Sequence, residues 1–310
     1  MPAVEVTHLR KVYGSLVAVD DLELVIEPLE VVALLGPNGA GKTTAVEMLE
    51  GYRRPDAGTV SVLGMDPWTG GRAFRERIGV VLQEAGFEEA FTPRELIRLH
   101  AGYYPRPRAV DEVISLVDLT EKADAKVGTL SGGQRRRLDL ALGIVGDPDM
   151  LFLDEPTTGF DPSARRRAWD LVDRLRDLGA TILLTTHYLD EAQHLADRVV
   201  VIDHGRVIAQ GTPAQLAASA GAATVVSFRV PDGVGVADLP TVGDDARLAG
   251  AMAEIRTRDA TRDLHALTTW ALDRGVDLDD ITLTRPSLED VYLDLVGERG
   301  GEPVRSQVAG

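Results

Sequence analysis

The stretch GPNGAGKTT (36–44) follows directly on the apolar run VVALL (31–35) and leads into TTAVEMLEGY. This order of strand, glycine-rich loop and helix constrains the fold more than any other feature of the chain. Gly36, Gly39, Gly41, Lys42 and Thr43 satisfy G-x-x-x-x-G-K-[ST], with Pro37, Asn38, Ala40 and Thr44 completing the loop. Glycines let backbone N–H groups curl around a β-phosphate, and the helix N-terminus adds positive potential. Lys42 is then placed to meet the β/γ oxygens, and the Thr43 hydroxyl to ligate Mg²⁺. An ordinary glycine-rich turn containing a lysine is the alternative, and the flanking strand and helix argue against it. The loop alone does not say what the nucleotide is for, because GTPases, kinases and motors hold theirs in the same way.

Further apolar runs recur along the chain: VEVTHL (4–9), LELVI (22–26), IGVVLQ (78–83), MLFLD (150–154), ATILLTT (180–186) and RVVVID (198–203). Several are followed by helical patterns, which predicts a parallel sheet buried on both faces. Residues from about 90 to 146 read as a helical block inserted between two sheet strands. Near GTPAQLAASAGAA (211–223) the composition shifts to small residues and the pattern restarts at TVVSFRV (224–230). A boundary is expected there, followed by a loop, a strand around 251–258, a helix over about 260–274, a strand at 280–284 and a final helix.

The run MLFLDEP (150–156) ends in adjacent carboxylates, Asp154 and Glu155. At the C-terminal end of a parallel strand beside a phosphate loop, such a pair can divide labour. Asp154 would hold Mg²⁺ through water, and Glu155 would orient or deprotonate the water attacking a γ-phosphate. A solvated acidic turn is the alternative for the pair taken alone. Before it comes LSGGQRRRLDLALGIV (130–145), in which Ser131 can N-cap a helix. The apolar positions Leu138, Ala141, Leu142 and Val145 fall at i, i+3, i+4 and i+7. Gly132 and Gly133 leave amides bare at that helix start, a second anion-binding surface in a chain with one triphosphate loop. Arg135, Arg136 and Arg137 read as a solvated or partner-facing surface.

The order GPNGAGKTT, Gln83, LSGGQ, LFLDEP, GFDP and His187 resembles the ATP-binding subunits of ABC transporters, over residues 4–215. The resemblance implies a P-loop (RecA-like) α/β core with an N-terminal antiparallel β subdomain and an inserted helical subdomain. It also implies ATP and Mg²⁺ as ligands, with Thr43, Gln83 and Asp154 on the metal. Tyr13 stands where the family stacks an aromatic on adenine, a half-buried edge tyrosine being the alternative. Gln83 matches the Q-loop glutamine, and Ser131, Gly132, Gly133 and Gln134 match the signature that contacts the ATP of a second subunit. His187 matches the switch histidine that helps place Glu155, although a histidine there could equally cap the helix YLDEAQHLADR. Asp161 matches the D-loop aspartate that crosses the dimer interface, and Phe160 stands where leucine is usual. Glu155, His187, Gln83 and Lys42 are thus the expected catalytic group. The partners implied are a second ATPase subunit, identical or not, and a separate membrane permease.

Near the end, RPSLEDVYLDLVGE (285–298) offers Ser287 as N-cap, Asp290 at N3, and Leu288, Val291, Tyr292 and Leu295 on one helical face. PSLEDVYL also resembles the tail of exporter-type ABC ATPases such as the daunorubicin-resistance subunits, with Tyr292 in place of the usual Phe. A packing module without a dedicated task is the other reading of this unit. The expected organisation is 1–220 for the ATPase domain, 221–298 for a small α/β accessory domain and 299–310 for a tail. Export of a hydrophobic drug, antibiotic or lipid is the leading functional reading. An importer ATPase, a non-transport ABC ATPase of translation or DNA, and a nucleotide-gated scaffold are the competitors.

Composition narrows these choices. The formal charge is −16, and residues 231–310 hold 16 acidic side chains against 8 arginines, which disfavours nucleic acid as a partner. There is no cysteine, hence no disulfide or thiolate chemistry. No run of eighteen apolar residues and no basic-then-apolar start is present, so the chain is expected peripherally on the cytoplasmic face of the cell membrane.

Overall fold

Short apolar strands alternating with helices build the larger part of the molecule, as a computed structural model describes it for residues 1–82, 86–219, 224–230 and 251–284. Residues 234, 238–240, 242–243, 245–249, 288–289 and 292 are also described. The chain divides into two compact units, Met1–Pro213 and Ala214–Gly310.

In the first unit, β1 (Val4–Tyr13), β2 (Leu16–Ile26), β3 (Val31–Leu35), α1 (Lys42–Leu49) and β4 (Ala57–Val62) come first. They are followed by α2 (Gly71–Arg75), β5 (Ile78–Val81), α3 (Pro93–Ala101), α4 (Val110–Leu116) and α5 (Gly132–Ile144). The unit closes with β6 (Met150–Asp154), α6 (Pro162–Asp177), β7 (Thr181–Thr185), α7 (Leu189–Leu195), β8 (Arg198–Asp203) and β9 (Arg206–Gly211). Strands β5, β6, β7, β3 and β8 lie parallel in that order, with β9 antiparallel at the edge. Every residue of β3 and β7 is buried, as expected for strands covered on both faces. A second, antiparallel sheet runs β2-β1-β4. One continuous apolar cluster joins the sheets: Val4, Leu24 and Ile26 of the small sheet, Leu34, Phe152 and Val200 of the large one, and Met48 and Leu49 of α1. The strands β4 and β9 were not anticipated from sequence; both are half-exposed partners of antiparallel pairs, with weak apolar signals.

The helical block comprises α3, α4 and α5 with two short 3₁₀ turns. Two capping boxes start its longer helices, Thr92 with Glu95 and Ser131 with Gln134. Helix α5 lies tightly on β5: a Cβ on Gly79 would stand 2.1 Å from the Gly143 carbonyl oxygen. Leu138, Ala141 and Val145 are buried as the spacing predicts, and Leu142 is half-buried.

Helix α8 (Pro213–Ser219) leads into the second unit, which contains β10 (Thr224–Arg229), β11 (Asp245–Ala249), β12 (Met252–Thr257), α9 (Ala260–Arg274) and β13 (Asp279–Thr284). Its antiparallel sheet runs β11-β12-β10-β13 over a core of Val226, Phe228, Ala253, Ile255 and Leu267. Asp259 caps α9 by accepting from the Arg262 amide, and Gly275 ends it at φ +65°. The expected helix 260–274 and the strands around it are present, and β11 is additional. Of the final helical pattern, Leu288 is buried; Ser287, Asp290, Val291, Leu295 and the segment 299–310 lie outside the described residues.

Candidate functional site

The phosphate loop is locked by backbone geometry. Gly41 has φ +101°, and a Cβ there would meet the Ala18 carbonyl oxygen at 2.2 Å. The tip of the β8–β9 hairpin, His204 and Gly205, also has positive φ at both residues, the two-residue turn that suits the strand twist. From that tip the Gly205 amide donates to the Ala40 carbonyl at 2.8 Å, and Asp20 N–H donates back to Gly205 O at 2.9 Å. Arg206 closes on Asp20 at 2.6 Å. This hairpin, unnoticed in the sequence, supports the loop from behind; the Gly-centred turn HGR between two apolar runs was the available signal.

Lys42 is buried, and its ammonium donates to the carbonyls of Gly36 at 2.7 Å and Pro37 at 3.1 Å. Burial lowers its pKa, opposed by the charges of Glu155 and Asp154. Thr43 is exposed at the first turn of α1. Tyr13 ends β1 as a 38% exposed residue, its ring 5.7 Å from Lys11 Nζ and 5.5 Å from the Arg53 guanidinium. A half-exposed aromatic beside two cations fits either reading of this residue.

Asp154 stands at the end of β6 in register with Thr185 of β7, whose hydroxyl donates to its carboxylate. Glu155 follows in the left-handed region, φ +46°, where a non-glycine residue needs its surroundings to hold it. Its amide donates to the Thr185 carbonyl at 3.1 Å and lies 3.1 Å from the Thr185 hydroxyl. Its carboxylate accepts from Thr158 Oγ1 at 3.1 Å and lies 3.5 Å from His187 Nδ1. Thus Glu155 and His187, thirty-two positions apart, share one site. His187 does not cap α7, whose start has no side-chain cap; just ahead of it the Thr186 hydroxyl accepts from Tyr188 N–H at 2.9 Å. The Tyr188 ring packs on His187 and under the Arg165 guanidinium, each at 4.0 Å.

Ser131 accepts from the Gln134 amide at 3.3 Å, and Gln134 Oε1 accepts from Ser131 N–H at 2.9 Å, so both are engaged in the first turn of α5. Beside them, a Cβ on Gly132 or Gly133 would meet nothing within 4 Å, so this helix start is open to a ligand. Asp161 N-caps α6, accepting from the amides of Ser163 and Ala164 at 2.9 Å. Those bonds hold its carboxyl below the usual range. Gln83 lies outside the described residues.

The reading of the arginine triplet as a solvated surface is corrected for Arg136. Its side chain is 10% exposed and pairs with the equally buried Asp139 at 2.8 Å. Its guanidinium also donates to the carbonyls of Asp154 at 2.7 Å, Glu155 at 3.1 Å and Pro156 at 3.2 Å, and to that of Leu82. Burial pushes the Asp139 carboxyl up to about 6 against the pull of Arg136. Arg135 is half-exposed beside Glu89, whereas Arg137 is largely covered and donates to the Asp118 carbonyl at 2.7 Å and carboxylate at 2.6 Å. Sequence reading also passed over Glu50, buried at the C-terminus of α1; burial, and then the charges of Asp154 and Glu47, push its carboxyl up to about 8.

Two hard oxygen donors, Thr43 and Asp154, suit Mg²⁺, which is bound by one or two carboxylates together with substrate phosphates. A parallel sheet, a lysine-bearing phosphate loop and a strand-end carboxylate pair with a nearby histidine define a P-loop nucleoside triphosphatase. The family model described as ABC transporter matches residues 19–158, and one described as ABC transporter domain-containing protein-like, C-terminal domain, matches 224–287. The daunorubicin resistance ATP-binding protein DrrA3 of Streptomyces coeruleorubidus is 42% identical over 96% of this chain and 96% of its own. The Nod factor export ATP-binding protein I of Paraburkholderia xenovorans is 41% identical over 95% of this chain and 97% of its own. Among solved structures, cbiO1 from Clostridium perfringens, part of the ABC transporter complex cbiONQ, aligns with TM-score 0.65 at 30% identity, covering 70% of this chain and 91% of that one. A structure described as an ATP binding subunit of an ABC transporter aligns with TM-score 0.65 at 27% identity over 71% and 93% of the two chains. The chain belongs to the ABC transporter ATP-binding family, whose members are ATPases coupled to transport.

Proposed function

We propose that this subunit pairs with a second ATPase subunit around two ATPs and drives a separate permease that exports a hydrophobic drug, antibiotic or lipid. The observation that carries the hydrolytic part is the Glu155 carboxylate, fixed by a left-handed backbone and lying 3.5 Å from His187 Nδ1. In this reading the loop amides and Lys42 hold the β- and γ-phosphates. Glu155 takes a proton from the attacking water, and His187 contacts the γ-phosphate and fixes the carboxylate. Thr43, Asp154 and Gln83 would hold Mg²⁺, which supplies charge neutralisation at the phosphates. Tyr13 offers its exposed face to adenine. The amides at Ser131, Gly132 and Gly133 take the γ-phosphate of the partner's ATP, with Gln134 and Asp161 at the same interface. Hydrolysis removes that bridge and lets the dimer reopen, a two-state element able to drive a permease.

Supporting export is the length of the likeness to proteins named for drug resistance and Nod factor export, which extends through the second unit. Among the described residues no helix is long and apolar enough to cross a membrane, which agrees with a peripheral subunit. A groove of about 450 Å³, lined by Tyr52, Leu82, Phe87, Leu96, His100 and Tyr104, is the surface assigned to the permease. Copurification tests the assembly: a polytopic membrane protein supports it, whereas a ribosome or DNA overturns it. A solute-binding protein encoded beside this chain would overturn export in favour of import. For catalysis, Glu155→Gln is expected to retain ATP and lose turnover by about 10²–10⁴-fold; wild-type turnover in that variant refutes the assignment.

A further inference from the structure

We propose that Arg136 is a positioning residue for hydrolysis: from the signature helix α5 of its own chain it holds the backbone of residues 154–156 so that Glu155 presents its carboxylate to the attacking water. This rests on Glu155 being the general base.

The geometry is that of a clamp. Arg136 Nη2 donates to the carbonyls of Asp154 at 2.7 Å and Glu155 at 3.1 Å, and Nε to that of Pro156 at 3.2 Å. Three consecutive carbonyls therefore converge on one planar fork, which a lysine ammonium cannot reproduce. From the opposite side Thr185 receives the Glu155 amide at 3.1 Å. Held at both edges, Glu155 stays at φ +46°. Nη1 reaches the carbonyl of Leu82, at the end of β5 next to Gln83, and Asp139 at 2.8 Å orients the fork from one turn further along α5.

Adhesion of α5 to the sheet does not require this charge. The close approach of Gly79 and Gly143, with Leu138, Leu140 and Ile144 buried, already secures that contact. A buried ion pair is weak evidence for stability, since an apolar pair of similar volume often serves as well. What an apolar pair could not do is bind three carbonyls beside a left-handed glutamate. The same helix begins at Ser131, Gly132 and Gly133, so a displacement of α5 by the partner's nucleotide reaches Glu155 through Arg136. Each ATP would thereby set the hydrolytic group of the opposite site.

The full chain with MgATP provides the test, through ATPase kcat and KM, affinity for a fluorescent ATP analogue, and nucleotide-dependent dimerisation. R136K is expected to lower kcat by about tenfold or more, the scale set by ångström-level misplacement, with KM and analogue affinity changed by less than about threefold. In the E155Q background, R136K is expected to change neither the residual turnover nor the ATP-trapped dimer. Wild-type kcat in R136K overturns the proposal, as does a joint loss of affinity and kcat, or R136K and E155Q losses that multiply. If R136K does not fold, R136M/D139L, which removes both buried charges, is held to the same criteria. Wild-type turnover in E155Q alone would instead remove the premise.

Discussion

Replacing Glu50 by Gln tests the electrostatics beneath the site. Glu50 is 6% exposed, and burial with Asp154 and Glu47 nearby raises its carboxyl from 4.5 to about 8. In the unfolded chain the group ionises near 4.5, while in the folded chain it keeps its proton until about 8. Its favourable contribution is therefore complete below pH 4.5 and is lost as pH rises towards 8. At about 1.4 kcal/mol per pKa unit, the total is on the order of 5 kcal/mol. Gln keeps the shape and cannot ionise, so E50Q should gain on the wild type as pH rises, by several kcal/mol between pH 5 and pH 8. Urea unfolding at pH 5, 6.5 and 8, with midpoints compared at constant slope, measures the difference. Asp139, also raised, is present in both proteins and cancels. A difference between E50Q and wild type that is flat from pH 5 to pH 8 would refute the reasoning.

Other perturbations separate the remaining parts. Gly41→Ala places a methyl 2.2 Å from the Ala18 carbonyl in a backbone already at φ +101°, so affinity for a fluorescent ATP analogue should fall at least about tenfold while the far-UV spectrum is retained. Phe87→Ser, in the groove assigned to the permease, should leave ATPase activity of the isolated chain within about twofold and reduce copurification of the permease. Phe228→Ala should destabilise the second unit by about 3–5 kcal/mol, read by proteolysis of residues 214–310, while the first unit keeps its ATPase activity.

The loop, the carboxylate pair and the sheet were legible in the sequence because each is local. VVALL and MLFLD are continuous apolar runs, and Gly, Lys and Thr occupy fixed offsets. The capping boxes of α3 and α5 are local as well. Arg136 was not legible, because its burial depends on carbonyls at residue 82 and at residues 154–156, brought in by the register of β5 on β6. A charged triplet at a helix start reads as solvated unless those contacts are known. Glu50 escaped for a related reason: α1, which it ends, packs into a core shared by both sheets, and that packing is not visible in the local sequence. Asp161 illustrates local chemistry whose meaning was incomplete, since the carboxylate that matches an interface residue also caps the helix that follows it.

The support of the phosphate loop by the β8–β9 hairpin bears on how this chain can be cut or extended. Exposed two-residue hairpin tips are ordinarily good places to splice a tag, insert a domain or open new termini, provided the backbone there is uncommitted. The tip at His204 and Gly205 has no such freedom, because Gly205 N–H is bonded to Ala40 and its carbonyl to Asp20. An inserted segment there would disturb the nucleotide pocket from the far side of the sheet edge. Permuted or reporter-fused versions of the chain should therefore leave residues 203–206 intact.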